Sequence, residues 1–310
     1  MIYTITLNPS LDYVVDVKGF HMGAVNRSNG ESILPGGKGI NVSLMLKALG
    51  CEGVATGFLA GFTGAEIRRL LSERGLSENF LFLKNGFSRI NVKLRCEEET
   101  EINGVGPVVS EEEKEALLGW LAQTIGDGDT FVLSGSVPRS LPSDIYGEMI
   151  RRFSSENVRI VADVSGNLMK EILPYRPFLV KPNHHELGEM FGCRIESRDE
   201  AVFYARKLQA QGAENVMVSL AADGAVLVTE EAVFYAEAPK GRLVNSVGAG
   251  DSSVAGFLAG WIASEDPMKA LSLAVAAGSA TAFSEGIGEK SMVDSLLGQV
   301  NVVRIGYIGE

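Results

Sequence analysis

The sequence predicts a doubly wound α/β fold in which a mostly parallel sheet is flanked by helices and partly covered by a small β-sheet lid. Short apolar runs alternate with longer segments of helical periodicity along the 310 residues. The runs are apolar nearly throughout, which is typical of strands buried on both faces of a parallel sheet. Two other segments alternate apolar with polar residues, which indicates strands with one exposed face.

The apolar runs have the length of strands. They are residues 2–7, 53–60, 130–135, 159–165, 178–183, 215–220 and 225–229. Helical candidates lie between several of them, including residues 111–125 and 199–212. Because ligands of such sheets bind beyond the carboxyl ends of the strands, we expect the functional site at that edge.

The alternating segments are residues 11–20 and 88–107. In the second, Ile90, Val92 and Leu94 share one face, and the opposite face carries polar side chains. We interpret both segments as a lid that projects from a single α/β domain spanning residues 1–310 and covers a site. An ordinary antiparallel sheet edge is the alternative.

Composition excludes several classes of function. A net charge of −11 argues against a nucleic-acid partner, because phosphate backbones require clustered Lys and Arg. Three separated cysteines favour reduced thiols and a cytoplasmic location. The amino terminus lacks a signal-peptide pattern, and the apolar stretches 254–263 and 271–283 are interrupted as in core helices, so we expect no membrane partner.

A glycine-rich turn, VGAGDS at 247–252, precedes a buried helical stripe. The stripe places the helix start near Asp251, and Gly248 and Gly250 allow the preceding backbone to turn and approach a ligand. First-turn N–H groups bind anions, and a carboxylate beside them can take a proton from a hydroxyl. This pairing suits phosphoryl transfer. The alternative is that Asp251 is an ordinary N-cap.

A second glycine loop, PGGKGINVS at 35–43, also precedes a helical stripe. Gly36 and Gly37 allow close approach of the backbone to a ligand, Lys38 lies within the loop, and Asn41 lies at the helix start. Asn41 as a simple N-cap is the alternative. Asp12 follows the first strand, where a carboxylate could hold sugar hydroxyls.

Several ordered motifs resemble one family across essentially the whole chain. They are TLNPSLD (6–12), GGKGINVS (36–43), TEING with GP (100–107), SGSVP (134–138), KPNHHEL (181–187) and NSVGAGDS (245–252). The sequence resembles the ribokinase-like sugar kinases of the phosphofructokinase B type. The lysine in GGKG is similar to the ketohexose-phosphate branch, which includes 1-phosphofructokinase and tagatose-6-phosphate kinase.

The resemblance implies roles for individual residues. Asp251 would be the general base. The backbone N–H groups of Ala249, Gly250 and Asp251, in the turn that follows Gly248, would form the anion hole. Asp12, Gly36, Gly37 and Asn41 would hold the sugar. Lys181 and Asn183 would lie near the ATP phosphates, and Glu186 would organise Mg²⁺ through water. The nucleotide would be bordered by Ser219, Asp223, Gly224, Gly248 and Gly250, and Gly278 and Ser279 would lie near the adenine. Without the resemblance, Glu186 reads as an exposed helix carboxylate.

The phosphate of the sugar requires cations. The matched motifs offer Arg27, Lys38 and Arg89, with Lys93 and Arg139 as further candidates. Ordinary surface charge is the alternative for each. Ser140 stands where the family usually has glycine, which leaves the shape of the loop and the role of Arg139 open.

The resemblance implies an ATP- and Mg²⁺-dependent kinase that converts a ketohexose monophosphate to the 1,6-bisphosphate, with a homodimer formed through the lid. Fructose 1-phosphate is the first candidate acceptor, and tagatose 6-phosphate is the alternative. A non-catalytic sugar-phosphate sensor on the same fold is a further alternative, although such a sensor would be expected to lack Asp251. A dinucleotide dehydrogenase is disfavoured, because no GxGxxG motif follows the first strand.

Overall fold

The computed structural model describes residues 1–96, 100–153 and 157–307. The strands are β1 (Ile2–Thr6), β2 (Ser10–Asp16), β3 (Gly30–Gly36), β4 (Gly53–Ala60), β5 (Glu78–Leu83), β6 (Arg89–Arg95), β7 (Thr100–Asn103), β8 (Thr130–Ser134), β9 (Arg159–Asp163), β10 (Leu179–Val180), β11 (Asn215–Ser219), β12 (Ala225–Val228), β13 (Ala232–Ala236) and β14 (Val302–Tyr307). The helices are α1 (Lys38–Ala48), α2 (Gly61–Glu73), α3 (Glu111–Thr124), α4 (Ile145–Phe153), α5 (Asn167–Ile172), α6 (His184–Phe191), α7 (Arg198–Ala210), α8 (Ala249–Ser264), α9 (Pro267–Ala282) and α10 (Lys290–Leu297).

The main sheet confirms the predicted α/β class. Across the described residues it holds ten strands in the order β14-β13-β12-β11-β10-β9-β8-β1-β4-β5. The strands from β11 to β5 pair in parallel, whereas β12, β13 and β14 are antiparallel. Every predicted apolar run contains a strand. The sequence analysis missed β5, β13 and β14, and of these β5 and β14 lie at the two edges, where strands are less completely apolar.

Alternate residues of each central strand pack into two separate layers of helices. In β8, Phe131 and Leu133 face the core formed with α3 to α7, and Val132 faces the core formed with α1, α8, α9 and α10. This alternation follows from the two-residue period of a strand. Burial of one such side chain stabilises the fold by about 1.5–3 kcal/mol. The doubly wound sheet is therefore apolar on both faces, and polar side chains collect beyond its strand ends.

The lid is a separate small sheet in the order β3-β2-β6-β7. The predicted segment 11–20 corresponds to β2, and 88–107 corresponds to β6 and β7, with residues 97–99 outside the described residues. β3 was not predicted, because its sequence GESILPG shows no period-2 alternation and its last two residues were assigned to the glycine loop. β3 is instead specified by main-chain pairing with β2, from Ser10 opposite Gly36 to Asp16 opposite Gly30.

No helix in the described ranges combines the length and the apolar character needed to cross a membrane. The stretches 254–263 and 271–283 fall in α8 and α9, which pack against each other and against the main sheet.

Candidate active site

A cavity of about 940 Å³ lies between the lid and the carboxyl ends of the parallel strands. Most of the residues singled out from the sequence line it. They are Asp12, Gly37, Lys38, Asn41, Arg89, Lys93, Arg139, Lys181, Asn183, Glu186, Ser219, Gly248, Gly250 and Asp251. The fold thus brings together residues that are up to 239 positions apart in the sequence, Asp12 and Asp251 being the extremes.

Other predicted residues lie outside this cavity. Arg27 is exposed in the connection between β2 and β3. Gly278 is packed against α8, where a Cβ would lie 2.3 Å from Ser253 Oγ. The carbonyl of Asp223 accepts a 2.9 Å hydrogen bond from the Tyr235 hydroxyl. The remaining members of this group are Gly36, Ala249, Gly224 and Ser279.

The start of α8 gives Asp251 its position. Gly248 is the N-cap, with φ of 82°, and the helix begins at Ala249, so Asp251 is its third residue. No side chain caps this end, and the reading of Asp251 as an ordinary N-cap is therefore wrong. A Cβ at Gly250 would lie 3.0 Å from Lys181 Nζ, so the missing side chain lets an ammonium group approach the first turn.

The carboxyl group of Asp251 is buried and accepts a 2.7 Å hydrogen bond from Asn41 Nδ2. Burial raises the pKa of Asp251 to about 7, with help from the negative charge of Asp163 and against the lowering effects of Lys38, Asn41 and Lys181. A carboxyl group with a pKa near neutrality is suited to exchange protons with a hydroxyl group.

Two glycines fix the entry to α1. Gly37 is the N-cap with φ of 125°, and Asn41 lies inside the first turn with its amide bonded to Asp251. Asn41 is therefore not the N-cap. A Cβ at Gly36 would lie within 2.4–2.6 Å of the Asp12 carboxyl group, so only glycine allows this contact. Asp12 Oδ1 in turn accepts hydrogen bonds from Ser10 and Asn91.

Asp163 is a buried site residue that the sequence analysis missed. It ends β9, and its Oδ1 lies 3.1 Å from Lys38 Nζ and 3.4 Å from Lys181 Nζ. Burial alone would raise the pKa of Asp163, but the two ammonium groups outweigh it and hold the pKa below the ordinary value. The signal was available, since the apolar run RIVADVS carries a carboxylate near its carboxyl end, which is the ligand-binding edge of a parallel sheet.

Lys38, which the sequence interpretation assigned to the phosphate of the sugar, lines the cavity and is paired with carboxyl groups. Its ammonium group contacts Asp163 and lies 3.8 Å from Glu186 Oε1, and the charge of Asp163 raises the pKa of Lys38. Asp163 Oδ2 is buried and accepts no hydrogen bond from the amide and ammonium donors of the described chain. A protonated Asp251 carboxyl group would donate to it.

Glu186 has a structural role at the start of α6. It forms a capping box with Asn183, in which Glu186 N donates to Asn183 Oδ1 and Asn183 N donates to Glu186 Oε2. The carboxyl group is partly buried at the cavity wall, so it is not the exposed helix carboxylate of the alternative reading. Its Oε1 faces the cavity near Lys38 and is the oxygen available to a ligand.

The lid contributes cations from one face of β6. Arg89 Nε donates to the carbonyl of Asn8, and Lys93 Nζ lies 2.7 Å from Glu101 Oε2. Arg139 is exposed at the rim of the cavity. The neighbouring Ser140 accepts a 2.9 Å hydrogen bond from the Val109 amide, which a glycine at this position could not do.

Comparison with known proteins places these features in a family. The family model described as "pfkB family carbohydrate kinase" matches residues 5–293. The chain belongs to this pfkB family. It is a carbohydrate kinase, and both the fold and the enzyme class predicted from the sequence are confirmed.

Three similar proteins span nearly the full length of this pfkB kinase. A protein from Bacillus subtilis (strain 168) that carries the name 1-phosphofructokinase is 52% identical over 98% of this chain and 100% of its own. A D-tagatose-1-phosphate kinase from Bacillus licheniformis is 35% identical over the same shares. A crystal structure of phosphofructokinase-2 from Escherichia coli, in complex with substrates and products, has a TM-score of 0.90 at 26% identity and covers 96% of this chain and 98% of its own.

The donor groups of the cavity fit Mg²⁺ held mainly through water and phosphate oxygens. No group of three or more His, Cys, Asp or Glu side chains within the described ranges could hold a metal ion directly. Glu186 Oε1 and the buried Asp163 Oδ2 are oxygen acceptors, and Mg²⁺ commonly uses one or two carboxylates together with water and substrate phosphates. The pfkB kinase therefore offers a sparse, oxygen-based site.

Proposed function

We propose that the chain transfers the γ-phosphoryl group of ATP to a ketohexose monophosphate and forms the 1,6-bisphosphate, with fructose 1-phosphate phosphorylated at O6. The names of the two relatives support a ketohexose 1-phosphate as acceptor. Tagatose 1-phosphate, the acceptor in the name of the second relative, is a further candidate. Tagatose 6-phosphate, phosphorylated at O1, remains the alternative drawn from the sequence.

One observation carries the proposal: the buried Asp251 carboxyl group lies in the first turn of α8 and lines the cavity together with the lid cations and Lys181. Arg89 and Lys93 suit the phosphate already present on the acceptor. Lys181, beside Gly250, suits the phosphate being transferred. An acceptor whose phosphate binds these lid cations would present the hydroxymethyl group at its other end to Asp251.

In the proposed mechanism, Asp251 accepts the proton of the acceptor hydroxyl as that oxygen attacks phosphorus. The pKa of about 7 keeps a large fraction of Asp251 ionised near neutral pH, while leaving it basic enough to hold the proton. Asn41 donates to Oδ2 and orients the carboxyl group. Asp12, fixed by Ser10 and Asn91, is placed to bind the sugar hydroxyls.

Charge on the migrating phosphoryl group is stabilised by the chain itself. The N–H groups of Ala249, Gly250 and Asp251 lie in the first turn of α8, at its positive end. Of these, Ala249 N donates a long 3.4 Å hydrogen bond to the carbonyl of Ser246, which a phosphoryl oxygen would have to replace. Lys181 adds a full positive charge beside Gly250 and is held there by Asp163. Preorganised donors of this kind are commonly worth a few kcal/mol of barrier each.

Glu186 and Asn183 would hold Mg²⁺ through water, and Ser219 would border the nucleotide. When bound, the ion would neutralise part of the charge on the triphosphate. The capping box fixes Glu186 for this role, because Asn183 N restrains one of its carboxyl oxygens.

The test is an assay of ADP formation with ATP, Mg²⁺ and one of four acceptors: fructose 1-phosphate, tagatose 1-phosphate, tagatose 6-phosphate or fructose 6-phosphate. We expect the highest kcat/KM with fructose 1-phosphate, and phosphorus NMR of the product should show phosphates at C1 and C6. Binding of a sugar phosphate without ADP formation would favour the sensor alternative. Turnover confined to unphosphorylated sugars would overturn the assignment.

A further inference from the structure

A carboxyl group of the lid, Glu101, faces the cations of the cavity. Lys93 on β6 and Glu101 on β7 are opposite each other in the antiparallel register, and Lys93 Nζ lies 2.7 Å from Glu101 Oε2. Both residues line the cavity. The proposed mechanism needs cations here but gives no use to a negative charge, so the presence of Glu101 calls for an explanation.

The two partners differ in their access to solvent. The Lys93 side chain is 14% exposed and the Glu101 side chain is 42% exposed. An ammonium group shielded to this degree is unfavourable without a counter-charge, which Glu101 supplies. Glu101 Oε2 also accepts a long 3.3 Å hydrogen bond from Asn103 Nδ2. Because Glu101 is the more exposed partner, its side chain can turn toward water while Lys93 stays in the cavity.

Glu101 also acts on the second lid cation. Burial lowers the pKa of Arg89, and the negative charges of Asp12 and Glu101 oppose this effect. A phosphate dianion that approaches Lys93 and Arg89 is therefore attracted by two cations and repelled by the Glu101 carboxylate. Like charges repel each other more strongly where solvent is partly excluded, so this carboxylate weakens phosphate binding at the lid.

We propose that Glu101 is an intramolecular counter-anion that the acceptor's own phosphate displaces from Lys93. This inference rests on the proposed function, because it requires an acceptor whose phosphate binds the lid cations. The exchange of one anion for another keeps Lys93 neutralised throughout the cycle. It also weakens the binding of every phosphorylated ligand at the lid, including the bisphosphate product, and so favours product release.

The first experiment compares wild-type enzyme with Glu101→Gln and Glu101→Ala in steady-state assays. Both variants should lower KM for fructose 1-phosphate by about 3- to 10-fold and leave KM for ATP within about twofold. A higher KM for fructose 1-phosphate would show that Glu101 holds Lys93 in place and would overturn the proposal, as would an unchanged KM.

Glu31→Gln is the matched control, because Glu31 is an exposed carboxylate on lid strand β3 that does not line the cavity. It removes the same charge from the lid and should leave KM unchanged. An equal decrease in KM for Glu31→Gln would show that any negative charge on the lid raises KM. It would overturn the proposal that phosphate displaces Glu101 from Lys93. In a Lys93→Met background, Glu101→Gln should lower KM by a smaller factor, because only its effect through Arg89 remains. A decrease as large as in the wild type would also overturn the proposal.

Calorimetric titration with inorganic phosphate separates this inference from the proposed function. Glu101→Gln should bind phosphate about 3- to 10-fold more tightly than the wild type, whether or not either protein turns over fructose 1-phosphate. Absence of turnover by the wild type would refute the proposed function alone. Equal or weaker phosphate binding by Glu101→Gln would refute the role of Glu101.

Discussion

Asn41 Nδ2 donates a 2.7 Å hydrogen bond to Asp251 Oδ2 and thereby joins the first turns of α1 and α8, which begin 211 residues apart in the sequence. Both turns follow an N-cap glycine with positive φ, and neither is capped by a side chain. The bond therefore connects the loop that we propose to contact the sugar with the carboxyl group that would receive its proton.

Asp251→Asn should reduce kcat by about 10²–10⁴-fold, because the amide keeps the shape of the carboxyl group but cannot act as a base. Steady-state assays with saturating fructose 1-phosphate and ATP measure the change. Asp294→Asn is the matched control, since Asp294 is an exposed partner of Lys290 on α10, and it should retain full turnover. Near-normal kcat in Asp251→Asn would remove Asp251 from the role of base.

The rate should depend on pH through Asp251. Because the ionised form is the active one, kcat/KM for the acceptor should rise with pH to a plateau, with an apparent pKa near 7. The residual kcat/KM of Asp251→Asn should not show this increase with pH. The acceptor phosphate itself loses a proton at about pH 6, so the profile is corrected for the dianion fraction. A corrected profile that is flat from about pH 5.5 to about pH 8 would contradict the assignment.

The same pKa predicts an effect on stability. The folded pKa of Asp251 is raised from 3.8 to about 7, so the folded state retains a proton that the unfolded chain releases in this range. The stabilising contribution of the protonated group is thus lost as the pH rises through 7. Asp251→Asn should have a higher Tm than the wild type at pH 8, and this difference in Tm should decrease toward pH 5. A constant difference across this range would refute the shift.

Asn41→Ala should move the acid limb of kcat/KM to higher pH, because the amide hydrogen bond lowers the pKa of Asp251. We also expect a decrease in kcat of roughly 10- to 100-fold from loss of carboxyl orientation. The double variant Asn41→Ala/Asp251→Asn should show no increase of kcat/KM with pH. Its kcat should be no lower than that of Asp251→Asn alone. A shift of the limb to lower pH would show that the hydrogen bond does not act on the ionised carboxyl group.

Arg89→Ala should raise KM for fructose 1-phosphate and leave KM for ATP unchanged, because the guanidinium group lines the lid side of the cavity. A charge-assisted contact worth about 1.5–3 kcal/mol corresponds to roughly 10- to 150-fold in KM. Arg304→Ala, on strand β14 at the far edge of the main sheet, serves as a control for loss of a cation. Equal increases in both KM values would show that Arg89 is not specific to the acceptor.

The elements that the sequence predicted well are those whose local pattern and tertiary packing agree. α8 is one example, since its apolar stripe and the preceding glycines placed its start within two residues of Ala249. β8 and β11 are others, because strands buried on both faces need successive apolar side chains, here at 131–133 and 216–218. The family motifs then supplied most of the cavity wall.

The features that were missed depend on contacts that a sequence pattern does not encode. β3 forms through main-chain hydrogen bonds to β2 and carries no apolar alternation. The role of Asp163 emerges only when Lys38 and Lys181, 143 residues apart, converge on the same carboxyl oxygen. The direction of the Lys38 side chain also could not be predicted, because loop composition does not determine which charged neighbour an ammonium group meets.

Strand β3 ends at Gly36 and helix α1 begins at Lys38, so Gly37 alone separates the lid from the helix that carries Asn41. A rotation of the lid about Gly37 would also rotate the first turn of α1 and move the Asn41 amide that is bonded to Asp251. An acceptor that binds the lid in a different position would therefore misalign Asp251. The selection of the correct acceptor would then depend on the single residue Gly37 between the lid and α1.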